Sequence, residues 1–195
     1  MKEFVDFLLT KVYCPEEIPQ VFIAYAFEQT ILDINYHFPE LTASEIEKRI
    51  IVNSNELAVF LFRLGNVLHQ NQQETLKPQV HWLLKELCSC EIYFNNEIEV
   101  GFCVVHGEGT VIGSRNKIGK GFKIHQGCTI GHKKNGVGSG NIIGNDVTMY
   151  CNSSIIGELN IGDNVVVGAY VLVTRNVLSN YILTNSLELK EKTLR

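Results

Sequence analysis

From Glu91 onward, aliphatic residues return every six positions. They fall at Ile92, Ile98 and Val104, then at Ile112, Ile118, Ile124 and Ile130, and they resume at Ile143, Met149, Ile155, Ile161, Val167 and Val173. Glycine follows the aliphatic residue at 113, 119, 131, 144, 162 and 168. An α-helix repeats its buried face about every 3.6 residues and a strand every two, so neither yields a period of six. A coil of three short parallel strands does, because each corner must bring the same face inward again. Repeats of this kind are solenoids, in which successive coils bury one continuous core.

The period breaks twice. Val104 to Ile112 is eight residues, which puts two extra residues around His106, Gly107, Glu108 and Gly109. Ile130 to Ile143 is thirteen, so seven extra residues leave the coil as a loop holding His132, Lys133, Lys134, Asn135, Gly136, Val137, Gly138, Ser139 and Gly140. A regular prism has no cleft. Insertions make one, and in repeat proteins they mark the binding side.

The first ninety residues carry a helical period instead. Phe4, Leu8 and Val12, with Val5 and Leu9, form one stripe, and Val21 to Leu32 is a second apolar segment. Thr42 and Glu45 make a capping-box pattern opening a third helix. Leu57, Phe60, Leu61, Leu64 and Leu68 give an i, i+3, i+4 face. Thr75 and Pro78 open a last helix carrying Val80, Leu83, Leu84 and Leu87. These stripes read as core packing and subunit contact.

Composition narrows the partners. The 195 residues fit one domain or two small ones. Net charge is −4, and the 17 Lys and Arg are scattered with no basic stripe, so nucleic acid is not an expected partner. No apolar run approaches the roughly 18 residues of a membrane span, and Met1 to Lys11 lacks an h-region and cleavage site. The expectation is a cytoplasmic protein with no membrane partner. Its six cysteines (14, 88, 90, 103, 128, 151) are then expected to be reduced. Cys88 and Cys90 have no second pair at finger spacing and read as small buried apolar side chains, with no metal expected.

Four segments of the repeat, Val105-His-Gly-Glu-Gly-Thr-Val-Ile-Gly113, Gln126-Gly-Cys-Thr-Ile-Gly131, Ile143-Gly-Asn-Asp-Val147 and Ile161-Gly-Asp-Asn-Val165, resemble the serine acetyltransferases. Phe62-Arg-Leu-Gly65 resembles their Tyr-Arg-Ile-Gly segment. The likeness runs from about residue 57 to 178. It implies an α+β architecture: an N-terminal helical domain over 1–90, serving oligomerisation and part of the acceptor site, then a left-handed parallel β-helix of hexapeptide repeats over 91–178 as the catalytic domain, and a C-terminal tail over 179–195. Such a coil is an exception to the right-handed crossover rule. The resemblance further implies a homotrimer or a dimer of trimers, with active sites in clefts between neighbouring prisms. It implies an acetyl-CoA-dependent O-acetyltransferase acting on a small hydroxyl-bearing acceptor. Acetyl-CoA would lie along the prism, where Gly131, Cys151 and Ala169 fall on the family's groove.

Acetyl transfer from a thioester needs a base for the acceptor's hydroxyl proton, and histidine suits it because its ordinary pKa lies near working pH. His106 matches the family's base. Glu91 falls where the family carries an Asp that orients that His. His125 is expected to point outward towards the cleft with Gln126, and His132 opens the loop where it meets the acceptor or CoA. Gln126 and His132 are therefore read as substrate-binding. His37, His69 and His81 read as surface or interface residues, and Cys103 and Cys128 as structural, since direct transfer needs no acyl-carrying thiol.

Departures from the family bear on the acceptor. The Asp that commonly precedes the catalytic His is Val105, the loop's Arg-His is Ser139-Gly140, and the helical Asp-Pro is Phe38-Pro39. Thr184-Asn-Ser-Leu-Glu188 replaces a Gly-x-Pro-Ala stretch at the adenine end. Those charged groups are expected to grip an amino acid's two charges. Their loss predicts that L-serine is acetylated weakly and that a neutral hydroxyl compound is preferred, a sugar or polysaccharide acceptor being the alternative. Two other classes remain open: a trimeric metalloenzyme gathering His106, His125 and His132, and a silent scaffold.

Overall fold

Residues 1–134 and 137–185 are described by the computed structural model. The six-residue period becomes fourteen strands of two or three residues: β1 (Glu91–Ile92), β2 (Glu97–Ile98), β3 (Cys103–Val104), β4 (Val111–Ile112), β5 (Lys117–Ile118), β6 (Lys123–Ile124), β7 (Thr129–Gly131), β8 (Ile142–Ile143), β9 (Thr148–Met149), β10 (Ser154–Ile156), β11 (Asn160–Ile161), β12 (Val166–Val167), β13 (Leu172–Val173) and β14 (Ile182–Leu183). They form three parallel sheets, ordered β1-β4-β7-β10-β13, β2-β5-β8-β11 and β3-β6-β9-β12-β14. Strands adjacent in a sheet come from successive coils, so the three sheets are the faces of one prism.

The register stacks the periodic residues into columns. Ile92, Ile112, Ile130, Ile155 and Val173 lie over one another on the first face. Ile98, Ile118, Ile143 and Ile161 do so on the second, and Val104, Ile124, Met149 and Val167 on the third. All thirteen are buried. Each contributes about 1.5–3 kcal/mol relative to exposure.

Two corner devices close the coil. At one corner Asn96, Asn116 and Asn141 form a buried ladder. The backbone and side-chain amides of Asn116 donate to Asn96 Oδ1 at 2.8 and 2.9 Å, and those of Asn141 donate to Asn116 Oδ1, both at 2.9 Å. At the next corner each coil needs a left-handed residue, supplied by Gly101, Gly121, Asp146, Asn164 and Asn180. These are the types that tolerate positive φ. Gly101 has a second reason, since a Cβ there would lie 2.7 Å from the Tyr36 ring.

Five helices precede the prism: α1 (Lys2–Leu9), α2 (Gln20–His37), α3 (Ala43–Val52), α4 (Ser54–Gln70) and α5 (Lys77–Cys88). The Thr42–Glu45 capping box forms as read, and Pro78 sits in the first turn of α5. α1 stops at Leu9, so Val12 packs on the core from the following turn rather than from the helix. α4 differs from its expected one-sided stripe, because every residue from Leu57 to Gly65 is buried. It is the central helix, packed against α2, α3, α5 and β3, and a helix enclosed on all sides keeps no polar face.

Arg63 of α4 ties this layer to the first coil. Its Nε and Nη2 donate to the two oxygens of Asp33 in α2, both at 2.7 Å, and the guanidinium also reaches the carbonyls of Ile98 and Glu99 at 2.7 and 2.9 Å. Asp33 Oδ1 in turn accepts the Gly101 and Phe102 amides. Gly65 lets α4 approach closely, because a Cβ would fall 2.2 Å from the Phe94 ring. Among the described residues no helix is long and apolar enough to cross a membrane.

Candidate active site

The first break in the period is the irregular corner between β3 and β4. Its two extra residues push His106 out of the ladder, so the imidazole is exposed on the prism edge. The segment is nonetheless held. Asn55, in the first turn of α4, donates from Nδ2 to the Val105 carbonyl at 2.8 Å and accepts the Gly107 amide on Oδ1 at 3.2 Å. One side chain thus clasps the backbone on both sides of His106. The Thr110 hydroxyl donates to the His125 carbonyl at 2.9 Å, and the Gly109 amide to Ser89 at 2.8 Å.

His125 stands one coil on, its ring edge-on to His106 at 6.2 Å between centroids and stacked on Tyr150 at 4.8 Å. Desolvation, then the neighbouring His106 and Lys123, hold its pKa below the ordinary histidine value. His125 therefore resists protonation beside a second imidazole. Gln126, Cys151 and Ala169 continue up the same corner. The Asn152 amide donates to Gln126 and the Tyr170 amide to Cys151, linking successive coils at 2.9 and 3.1 Å.

Glu91, Gly131 and His132 group elsewhere, around an open groove of about 440 Å³ on the first face, together with Tyr93, Ser114 and Ile156. The Glu91 carboxylate lies 3.4 Å from His81 Nε2 and accepts from Lys85 Nζ at 3.3 Å; it forms no bond with His106. His132 donates from Nε2 to the Ser114 carbonyl at 2.8 Å, a contact that fixes the proton on that nitrogen. The histidines read as surface or interface residues are half-buried and engaged. His37 donates to Gly101 at 2.9 Å and has its pKa lowered by desolvation, His69 meets Lys77 at 3.1 Å, and His81 meets Glu91.

Among the described residues, four buried side-chain polar atoms make no hydrogen bond to protein: Glu56 Oε2, Arg115 Nη2, Gln126 Oε1 and His132 Nδ1. A buried polar atom left unpaired costs about 1–3 kcal/mol, so each marks a place where a partner belongs. Gln126 and His132 are the two residues read from sequence as substrate-binding.

Among the described residues no group of three His, Cys, Asp or Glu side chains is placed to hold a metal ion. His106 and His125 adjoin, but His132 lies on the groove of the first face. Cys88 and Cys90 are buried, and burial pushes the Cys90 thiol up to about 12. Desolvation likewise raises Cys103. These thiols stay protonated and are poor nucleophiles. Asn55, Glu56, Ser114 and Tyr150 were not legible as site residues. Asn55 sits in an Asn-Ser-Asn run that reads as a helix cap, and the others have no local signal.

No family model matches the chain. The serine acetyltransferase of Helicobacter pylori is 28% identical over 117 residues, which span 60% of this chain and 68% of that protein. That of Staphylococcus epidermidis is 28% identical over 149 residues, spanning 75% and 70%. The chain is similar in sequence to these serine acetyltransferases. The structure of serine acetyltransferase isoform 3 from Entamoeba histolytica in complex with cysteine superposes with a TM-score of 0.72 at 22% identity, covering 90% of this chain and 62% of that one. The Neisseria gonorrhoeae serine acetyltransferase in complex with serine gives 0.70 at 20% identity, covering 94% and 71%. The shared fold is a helical N-terminal part followed by a left-handed parallel β-helix. The chain spans roughly three fifths to seven tenths of the length of the proteins it matches.

Proposed function

We propose that this chain transfers the acetyl group of acetyl-CoA to the hydroxyl of L-serine, with His106 as general base. The observation that carries this reading is the clasped, exposed imidazole at the one corner where the coil gains two residues. His106 takes the hydroxyl proton as the new oxygen–carbon bond forms, and it returns that proton to the sulfur as the thioester bond breaks. Its neighbour His125, held neutral, does not compete as a second cation beside the imidazolium that forms.

Acetyl-CoA supplies the activated acetyl group. Gly131, Cys151 and Ala169 are assigned to its binding, and the bare acceptor atoms Gln126 Oε1 and His132 Nδ1 to polar contacts with the substrates. The residues fit such a ligand in that two buried acceptors stand without protein partners along the proposed path. Glu91 is retained as the candidate that orients His106, a role that requires its carboxylate to leave His81 and Lys85. We divide the chain into a helical domain over 1–90, a catalytic prism over 91–178 and a tail over 179–195, of which 186–195 lie outside the described residues. The working unit is a homotrimer or a dimer of trimers in the cytoplasm, without nucleic-acid or membrane partners. The exposed Ile142, Leu172 and Ile182 on the outer faces support such packing.

The relatives named above are serine enzymes, which favours L-serine over the sugar or other neutral acceptor that the loss of charge at Val105, Ser139 and Gly140 suggests. A thiol-release assay with acetyl-CoA tests this. L-serine should give kcat/KM of about 10⁴ M⁻¹s⁻¹ or more. A sugar acceptor turned over faster than L-serine would overturn the reading.

A further inference from the structure

L-serine carries an ammonium and a carboxylate, and charge enters a protein cleft only against an opposite charge. The corner beside His106 offers no carboxylate of its own pointing inward, since Val105 is apolar and Glu108 is exposed. The helical layer supplies one. Between α2, α4 and β3 lies a cavity of about 30 Å³, lined among others by Asp33, His37, Phe38, Asn55, Glu56 and Cys103. That is room for one water-sized group, the size of an ammonium head, and not for a whole amino acid.

Two carboxylates reach this cavity, and only one is free to act. Both oxygens of Asp33 are taken by Arg63, and Oδ1 also by the Gly101 and Phe102 amides. Glu56 differs. Its Oε1 accepts both Arg49 Nε at 2.9 Å and Arg49 Nη2 at 2.6 Å, while Oε2 is buried and makes no hydrogen bond to protein. The glutamate side chain is 12% exposed. Arg49 therefore pins the carboxylate from outside and leaves one oxygen bare. The adjacent residue is Asn55, whose amide clasps Val105 and Gly107 around His106. The cavity wall and the base are thus carried by consecutive residues of one helix turn.

We infer that Glu56 is the acceptor-recognition residue of this chain: its Oε2 receives the ammonium of the amino-acid acceptor and so presents the hydroxyl to His106. This rests on the proposed serine acetylation, and it replaces the countercharge that Val105 does not provide. A charge-assisted hydrogen bond in a buried site makes the effect of neutralising Glu56 about 10–100-fold in acceptor affinity.

The test uses the full chain and three acceptors: L-serine, ethanolamine, which keeps the ammonium but has no carboxylate, and ethylene glycol, its neutral counterpart. Calorimetric binding and steady-state kinetics are measured for wild type and Glu56→Gln, with circular dichroism as a check on folding. The amide retains an oxygen for Arg49. The expected result is a 10–100-fold rise in KM and Kd for L-serine and ethanolamine in Glu56→Gln, with kcat changed by less than about threefold, KM for acetyl-CoA unchanged, and ethylene glycol unaffected. L-serine KM within twofold of wild type would overturn the inference while leaving the serine activity standing. Binding of L-serine that depends on Glu56 but leads to no thiol release would overturn the activity and support the site. Should Glu56→Gln not fold, the wild type decides alone: a failure to bind ethanolamine more tightly than ethylene glycol overturns the proposal.

Discussion

His106 and His125 show how one coil's insertion changes the chemistry of a side chain. His125 follows the regular period and is stacked on Tyr150, whereas His106 lies within the break and is exposed at the corner. His106→Ala should lower kcat about 10²–10⁴-fold, the usual worth of a positioned base, and leave KM for acetyl-CoA nearly unchanged. Steady-state kinetics with L-serine decide it, and near-wild-type turnover removes His106 from the mechanism. The lowered pKa values of His37 and His125 also tie stability to pH. Both resist protonation in the folded state more than in the unfolded one. Their contribution is therefore fully present above the ordinary value of 6.5 and is lost as pH falls from there through the lowered values. Thermal melts should be level above about pH 7 and drop below about 6.5, and His125→Asn should shrink the drop. A melting temperature that holds steady or climbs between pH 6.5 and 5 would contradict this.

At the scale of elements, the contact between α4 and the first coil is the joint on which the site depends. Asn55, Glu56 and Arg63 lie along the same helix: one clasps the His106 segment, the next faces the ammonium-sized cavity, and the last is locked to Asp33 and to the carbonyls of Ile98 and Glu99. Arg63→Ala leaves Asp33 charged and buried with only two amide donors, and it strips two carbonyls of their partner. The expected cost is about 3–5 kcal/mol, read from urea melts. A loss under about 1 kcal/mol would show that the helical layer docks on the prism by apolar packing alone. The asparagine ladder is the corresponding joint within the prism, satisfying the backbone at every corner it passes.

At the scale of the molecule, the prism exposes large apolar side chains on its outer faces, Leu172, Ile182 and Leu178 among them, each more than half exposed. A parallel solenoid of so few coils has its candidate groove and its base on different parts of the surface, the groove on one face and His106 on the edge. A neighbouring prism packed against the open face would enclose both. The protein should therefore sediment as three chains or a multiple of three, and activity should fall with dissociation on dilution. A stable, active monomer in analytical ultracentrifugation would refute this assembly.

The sequence by itself determined the prism. A period of six is a covalent fact, and all thirteen periodic aliphatics from Ile92 to Val173 occupy the buried columns because no other backbone returns that spacing to one face. It also located the corner that carries His106, since an insertion in a strict repeat is visible without any coordinates. What tertiary structure decided lies between elements far apart in the chain. Asn55 and His106 are fifty-one residues apart, and nothing local in an Asn-Ser-Asn cap announces that its amide will span another segment's backbone. Glu91 reads as an orienting carboxylate, and it is the docking of α5 that sets His81 and Lys85 beside it. Glu56 reads as a helix-turn acid, and only burial in the fold, with Arg49 on one oxygen, leaves the other without a partner. Repeats are written in nearest neighbours along the chain, whereas desolvation and pairing depend on what the fold places opposite each side chain.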